Sequence, residues 1–363
     1  MNKIIYLDAA ASALKPQSVI DAETHFLTHD YANAGRGVCA RAGAVDDMVC
    51  VARRRVAKFI NADADQIVFT SNATDALNRV AVMSLAARQN PVVAVSDLDH
   101  HSARLPFAAR GADIVVCPLD GALNIDINKL PRADIMVITA MSNVIGMPQN
   151  VSAIVAGARA KNPNVITIVD ASQYVVHSAI DVKKWDADFV CFSAHKIGAD
   201  TGLGIMYIKN PNAFAPDRFG GGMVRRIDDN EIIYSDAPHR FEAGTLPLTQ
   251  IAGLPAAIDA LESHRPDLNL IKYMYDELSK NPRIKIITPR DAALLTFVVR
   301  DMHPLDFGAL AGARGICLRV GNMCATWIHR ALNIDGSIRI SIGSWNTMDE
   351  VRNAVHEIGE IIK

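Results

Sequence analysis

Lys196 ends the stretch Ala-Asp-Phe-Val-Cys-Phe-Ser-Ala-His-Lys over residues 187–196, in which an apolar, β-prone run at 189–192 passes straight into a polar turn. Lysine is rarely fully buried unless something pairs with it. An amine at the end of a core strand is therefore either a surface residue on a loop or a reactive group in a cleft. A second stretch favours the cleft. Residues 165–170 form another apolar run, which ends in Asp170 with Gln173 just beyond. In an open α/β sheet the carboxyl ends of neighbouring strands line one crevice. An acid and an amine at two such ends match what pyridoxal phosphate requires: a carboxylate for the ring nitrogen and an amine for the Schiff base.

Other stretches bear polar groups at comparable places. A brief strand at 66–70 is followed by Ser71-Asn-Ala-Thr-Asp75 and an amphipathic helix reaching about residue 87. Hydroxyls and free N–H groups at a helix N-terminus make a phosphate site; the same segment taken alone also reads as an ordinary N-cap. The strand 91–95 delivers Asp97-Leu-Asp-His-His101. No third ligand lies at zinc spacing from the two histidines, so no metal site is expected, and a histidine stacked over an aromatic ring is the sharper reading. The strand 135–139 leads to Ser142-Asn143-Val-Ile-Gly146. Arg339 alternates with Ile338 and Ile340 in a strand, so the face it occupies matters; the bland alternative is a surface ion pair.

Cysteines 39, 50, 117, 191, 317 and 324 are scattered without a Cys-x-x-Cys pair. That spacing argues against structural zinc or a disulfide framework and for a reducing compartment, hence the cytoplasm. Cys117 and Cys191 fall at apolar strands, and most of the set is expected to be buried. Cys324 is the exception: Gly321-Asn-Met-Cys supplies the mobile loop that a nucleophilic thiolate needs, with an inert buried thiol as the alternative.

The elements that must position these groups follow an α/β rhythm. The chain has 363 residues, 50% of them hydrophobic, with a net charge of −2. That suffices for a large core and two domains and leaves no electrostatic footprint for nucleic acid or an anionic membrane. The cluster Arg53-Arg54-Arg55 reads as a solvated helix face. No apolar run has the length of a membrane span, and the N-terminus carries no signal-peptide pattern. Helices are expected at 18–28, 44–60, 151–159 and 248–262, and a returning strand at 202–208. The segments 31–41, 220–222 and 240–245 read as loops. Apolar rather than alternating strands predict a mostly parallel sheet covered on both faces. The expected division is a large domain at 15–262 and a smaller α+β domain made of 1–14 and 263–363, the latter carrying the cysteine loop. Strands at 284–288 and 294–299 and helices at 304–313 and 348–362 would build it.

In order and spacing, several motifs resemble one family: Tyr6-Leu-Asp-Ala-Ala-Ala-Ser-Ala-Leu-Lys-Pro16, Ala52-Arg-Arg-Arg-Val-Ala-Lys-Phe-Ile60, Ser142-Asn-Val-Ile-Gly146, Ser193-Ala-His-Lys196, Arg240-Phe-Glu-Ala-Gly-Thr245 and Arg319-Val-Gly-Asn-Met-Cys-Ala325. Together they look like a class V aminotransferase-type enzyme of pyridoxal-phosphate fold type I, most similar to group II (SufS-like) cysteine desulfurases. The resemblance implies a sheet of the seven-stranded type. It implies that Lys196 bonds the cofactor, Asp170 pairs with its ring nitrogen, Gln173 with its phenolic oxygen, and His100 stacks on its face. Thr74, the backbone after Ala73, Ser193 and His195 would hold the phosphate. Thr245 would reach the phosphate of a neighbouring subunit, which implies a homodimer with shared sites. Arg339, with Asn143 beside it, would clamp the substrate carboxylate, and Arg319 would support the site. Cys324 would take sulfur from L-cysteine as a persulfide and pass it to an acceptor protein.

The chain departs from that pattern at four places. A histidine usual before Arg36 is Gly35, a residue common before Thr74 is Ala73, and an asparagine after the histidine pair is Ala103. A proline-containing stretch after Ala325 is Thr326-Trp327-Ile328-His329. The changes at Gly35 and Trp327 bear on substrate preference and acceptor docking. Selenocysteine lyase or another class V lyase or aminotransferase would use the same pocket, and a non-catalytic binding protein of this fold is a more remote alternative. Hydrolysis around Ser193 lacks a Gly-x-Ser-x-Gly elbow.

Overall fold

The computed structural model describes residues 4–35, 37–86, 88–229 and 231–363. Arg36, within the expected loop, and Ala87, at the expected helix end, lie outside the described residues. In chain order the strands are β1 (Ile5–Tyr6), β2 (Ile67–Thr70), β3 (Val92–Ser96), β4 (Asp113–Cys117), β5 (Ile135–Thr139), β6 (Ile166–Asp170), β7 (Phe189–Ser193) and β8 (Gly204–Ile208). They continue as β9 (Val224–Asp228), β10 (Glu231–Tyr234), β11 (Ile284–Ile286), β12 (Leu295–Val299), β13 (Ile316–Cys317), β14 (Arg319–Gly321) and β15 (Ser337–Ile340).

Seven of them form one sheet in the order β2-β8-β7-β6-β5-β3-β4. The run from β4 to β7 is parallel, while β8 is antiparallel to both its neighbours. Every residue of β2, β5, β7 and β8 is buried, as befits a sheet with helices on both faces. The expected α/β class and mostly parallel sheet are what this chain adopts. Because β5, β6 and β7 run the same way and pair as neighbours, Thr139, Asp170 and Ser193 emerge at one sheet end.

A second sheet, β11-β12-β15-β14, is antiparallel and packs on the helices Leu268–Leu278, Pro304–Ala313 and Met348–Ile362. The N-terminal segment joins this lobe: β1 pairs in parallel with β13, and Ile5 and Leu7 sit in its core. The helix Leu268–Leu278 had gone unpredicted. Asp267 caps it by accepting from the Asn269 N–H, and it buries Leu270, Ile271, Met274 and Leu278. The hairpin of β9 and β10 also escaped prediction, because its residues are largely exposed and carry no buried alternation.

Two expectations about surfaces are corrected. Arg53 is not on a solvated face: its guanidinium is buried and bonds both carboxylate oxygens of Glu242, at 2.7 and 2.8 Å. Of the cysteines, Cys117 and Cys191 are buried, but Cys39 and Cys50 are exposed along with Cys324, and Cys317 is half-buried. Among the described residues no helix is long and apolar enough to cross a membrane.

Candidate active site

A cavity of about 300 Å³ opens at the carboxyl ends of β5, β6 and β7. Lys196 enters it from a tight turn, Ala194–Ile197, which ends at Gly198 with φ +93°. That left-handed angle is one that glycine adopts without penalty. The amine donates to the Ala10 carbonyl. Burial, and then the Arg339 charge, lower its pKa to about 8, with Asp170 pulling the other way. Asp170 is itself buried at the end of β6, where it accepts from the Ser172 N–H at 3.0 Å. Gln173 donates to the same Ala10 carbonyl at 2.8 Å, and its own carbonyl oxygen is buried without a partner among the described residues.

A polar corner lies at the N-terminus of the helix Ala73–Leu85. Asn72 caps that helix, and the Ala73 N–H donates to Ser193 Oγ at 2.8 Å. Thr74 Oγ1 sits 2.7 Å from Ser102 Oγ, which in turn is 2.9 Å from His100 Nδ1. Burial lowers the His100 pKa, with Asp170 opposing. His195 completes the corner, its Nδ1 3.2 Å from Ser12 Oγ and its pKa lowered to about 4 by burial and then by Lys196. Behind this corner lies Asp99, fully buried, accepting from the Ser96 N–H and hydroxyl and from the Thr139 hydroxyl. Burial raises its pKa to about 6. Nothing in the sequence but its place beside the histidines marks Asp99.

On the opposite wall Arg339, 2% exposed, projects from β15. One of its nitrogens donates to the Asn143 carbonyl at 3.0 Å and another to Asp8 Oδ1 at 3.1 Å, while Nε is buried without a partner among the described residues. Burial brings its pKa down to about 10, with Asp8 opposing. Arg319 donates to the other Asp8 oxygen at 2.6 Å from a half-exposed position. Asp8 holds both arginines; its mark in the sequence is that it is an acid inside the motif shared with the resembled family. Asn143 also donates to the Met323 carbonyl at 2.8 Å, and Cys324 follows as an exposed thiol on the cavity wall. Of the residues to which the resemblance gives a role in the site, all but Thr245 line this cavity; Thr245 lies away from it, at an exposed position.

The residues present fit pyridoxal phosphate. A depressed amine faces a buried acid, the Gln173 oxygen lacks a partner, and hydroxyls gather at a helix N-terminus as a phosphate requires. Comparison with known proteins points the same way. The Aminotransferase class-V family model matches residues 5–353. Cysteine desulfurase of Serratia proteamaculans is 33% identical, over 99% of this chain and 94% of its own. That of Pectobacterium carotovorum is 32% identical, over 97% and 91%. Among solved structures, the apo cysteine desulfurase of Thermococcus onnurineus superposes with TM-score 0.93 at 29% identity, over 99% of this chain and 94% of that one. The cysteine desulfurase CsdA of Escherichia coli, in an S-sulfonic acid form, gives 0.90 at 30% identity with the same coverage.

Proposed function

From the premise that this chain belongs to the class-V aminotransferase family, we propose that it removes sulfur from L-cysteine, releasing L-alanine and leaving a persulfide on Cys324 for an acceptor protein. The observation that carries the reading is the place of Cys324, an exposed thiol in the wall of the cavity that holds Lys196, Asp170 and Arg339. The family's cofactor is pyridoxal phosphate. Lys196 would hold its aldehyde carbon, Asp170 its ring nitrogen, Gln173 its phenolic oxygen and His100 its face. Thr74, the Ala73 backbone, Ser193 and His195 would take its phosphate. When bound, it supplies an electron sink for bonds broken at the substrate α-carbon.

The chain's own residues do the rest. Arg339 offers planar, paired donors to the substrate carboxylate, with Asn143 beside it. Lys196, on the wall of the same cavity, would take the α-proton and later return one. The Cys324 thiolate attacks the substrate sulfur: an S–S bond forms as the Cβ–S bond breaks, and the electron pair left on Cβ takes up a proton. The sulfur is oxidised to the sulfane level and the carbon reduced, so no outside oxidant is needed. Exposed Thr245 and the pattern around it fit a homodimer with shared sites, operating in the cytoplasm.

The test is mass spectrometry after brief incubation with L-cysteine. One added sulfur atom is expected, on Cys324. Cys324→Ala should gain none and lose cysteine turnover while still cleaving selenocysteine, whose selenium leaves without a cysteine nucleophile. A Cys324→Ala protein with undiminished cysteine turnover overturns the assignment.

A further inference from the structure

The turn that carries Cys324 has an unusual backbone. Met323 and Cys324 are consecutive non-glycine residues in the left-handed region, with φ +49° and +53°. Side chains rarely adopt that region singly, and a pair of them needs outside support to persist. The support comes from the large lobe. The His101 N–H donates to the Cys324 carbonyl at 2.7 Å. The His101 ring nitrogen Nε2 lies 3.0 Å from Thr326 Oγ1, and the ring meets Trp327 edge-on at 5.1 Å. One turn along the helix His101–Ala108, the Arg104 guanidinium lies 4.5 Å over the Trp327 ring. Beyond the turn, Ala325 and Ile328 are fully buried in the large-lobe core, although the strand leading into it belongs to the other lobe.

We propose that His101, Arg104 and Trp327 form a clasp between the lobes that fixes where the Cys324 thiol stands over the cavity. The clasp rests on the reading of Cys324 as sulfur acceptor given above. His101 and Arg104 are positioning residues: they touch the turn and its flanking helix and leave the cofactor pocket to others. The second histidine of the His100-His101 pair thereby gains a role distinct from the first. Trp327 and the residues around it, where the chain departs from the family pattern, gain one as well. With the clasp closed the thiol is held for attack on bound substrate; with it open the thiol is free to meet other reagents, at the expense of that attack.

The experiment measures two rates on the cofactor-loaded protein. One is alkylation of Cys324 by iodoacetamide in the resting state, with exposed Cys39 and Cys50 as internal references. The other is persulfide formation on Cys324 in a single turnover with L-cysteine. A cation–aromatic contact of this kind converts to roughly a threefold to tenfold effect. Trp327→Leu, Arg104→Ala and His101→Ala should each alkylate faster at Cys324 by about that factor and form persulfide correspondingly more slowly. Trp327→Phe, which keeps a ring under Arg104, should stay near wild type. Unchanged absorbance of the bound cofactor and unchanged Cys39 and Cys50 rates separate this outcome from general loosening. The clasp is overturned if the first three variants match wild type in both rates, or if Trp327→Phe behaves like Trp327→Leu. Absence of any persulfide in the wild-type protein would instead overturn the sulfur-acceptor reading, and the alkylation rates would still judge the clasp.

Discussion

Asp8→Asn separates the buried from the exposed half of one ion-pair network. The Asp8 carboxylate stands between Arg339, whose side chain is 3% exposed, and Arg319, whose side chain is 47% exposed. Removing one partner of a buried pair strands a charge and costs about 3–5 kcal/mol, while an exposed pair contributes about 0–1 kcal/mol. The asparagine keeps the shape and can still accept one hydrogen bond, so Asp8→Asn should destabilise by about 3 kcal/mol. Arg319→Ala should cost under about 1 kcal/mol. The same substitution leaves the Arg339 charge without its counter-ion, so an incoming carboxylate recovers part of what Asp8 had supplied. Urea unfolding with and without saturating L-alanine reads both effects. Asp8→Asn should be the less stable variant, and alanine should shift its midpoint further than that of wild type. If Asp8→Asn costs no more than Arg319→Ala, or if alanine shifts wild type and Asp8→Asn alike, the assignment of Asp8 as counter-ion to Arg339 and the carboxylate-binding role proposed for that arginine fail.

Three further outcomes follow from the same reasoning. In cofactor-free protein the Lys196 pKa is near 8 against 10.5 for an ordinary lysine, so the unfolded chain holds more protons between those values. Stability should therefore rise with pH across that window, and the advantage of Lys196→Met over wild type, greatest below pH 8, should fade towards pH 10.5; a gap independent of pH in denaturation curves would contradict the buried amine. Glu242→Gln should cost about 3–5 kcal/mol by stranding Arg53, whereas Arg53→Met combined with Glu242→Gln should cost clearly less than the two singles added together; additive losses in urea titrations would argue against the pair. Gly204→Ala would place a Cβ 2.5 Å from the Asn72 backbone, displacing the cap of the helix Ala73–Leu85. Such crowding typically costs about 1–3 kcal/mol, and equilibrium titration should show weaker pyridoxal phosphate binding with little change in fold; unchanged binding would place the phosphate elsewhere.

What could be read from the sequence was whatever obeys a local rule. The strands ending in Asp170 and Ser193 were legible as short apolar runs closed by polar residues, and the parallel sheet followed from their rhythm. Other features were set by distant parts of the chain. Arg53 lies in a run of three arginines, and its burial depends on Glu242, 189 residues away. Asp8 meets Arg339 across 331 residues; no periodicity in either segment reports such a meeting. The helix Leu268–Leu278 did carry a legible signal, since Leu270, Met274 and Leu278 recur at intervals of four behind the Asp267 cap. The exposed hairpin of β9 and β10 has no buried face, so alternation had nothing to mark.

Residues 8–10 tie these features together. The Ala10 carbonyl receives both the Lys196 amine and the Gln173 amide, and Asp8, two residues earlier, neutralises Arg339. The same short segment is docked on the smaller sheet, where the Ala10 N–H donates to Ser341 Oγ at 2.8 Å and the Ala9 N–H to the Ser341 carbonyl at 3.3 Å. Lys196, Gln173 and Arg339 thus share one short piece of backbone that itself lines the cavity. A shift of that segment would move the counter-ion of Arg339 and the acceptor of the Lys196 amine together. Within this chain, then, the segment that follows β1 contacts both Arg339 and the Lys196 amine, the two groups proposed to act on the substrate's carboxylate and α-carbon.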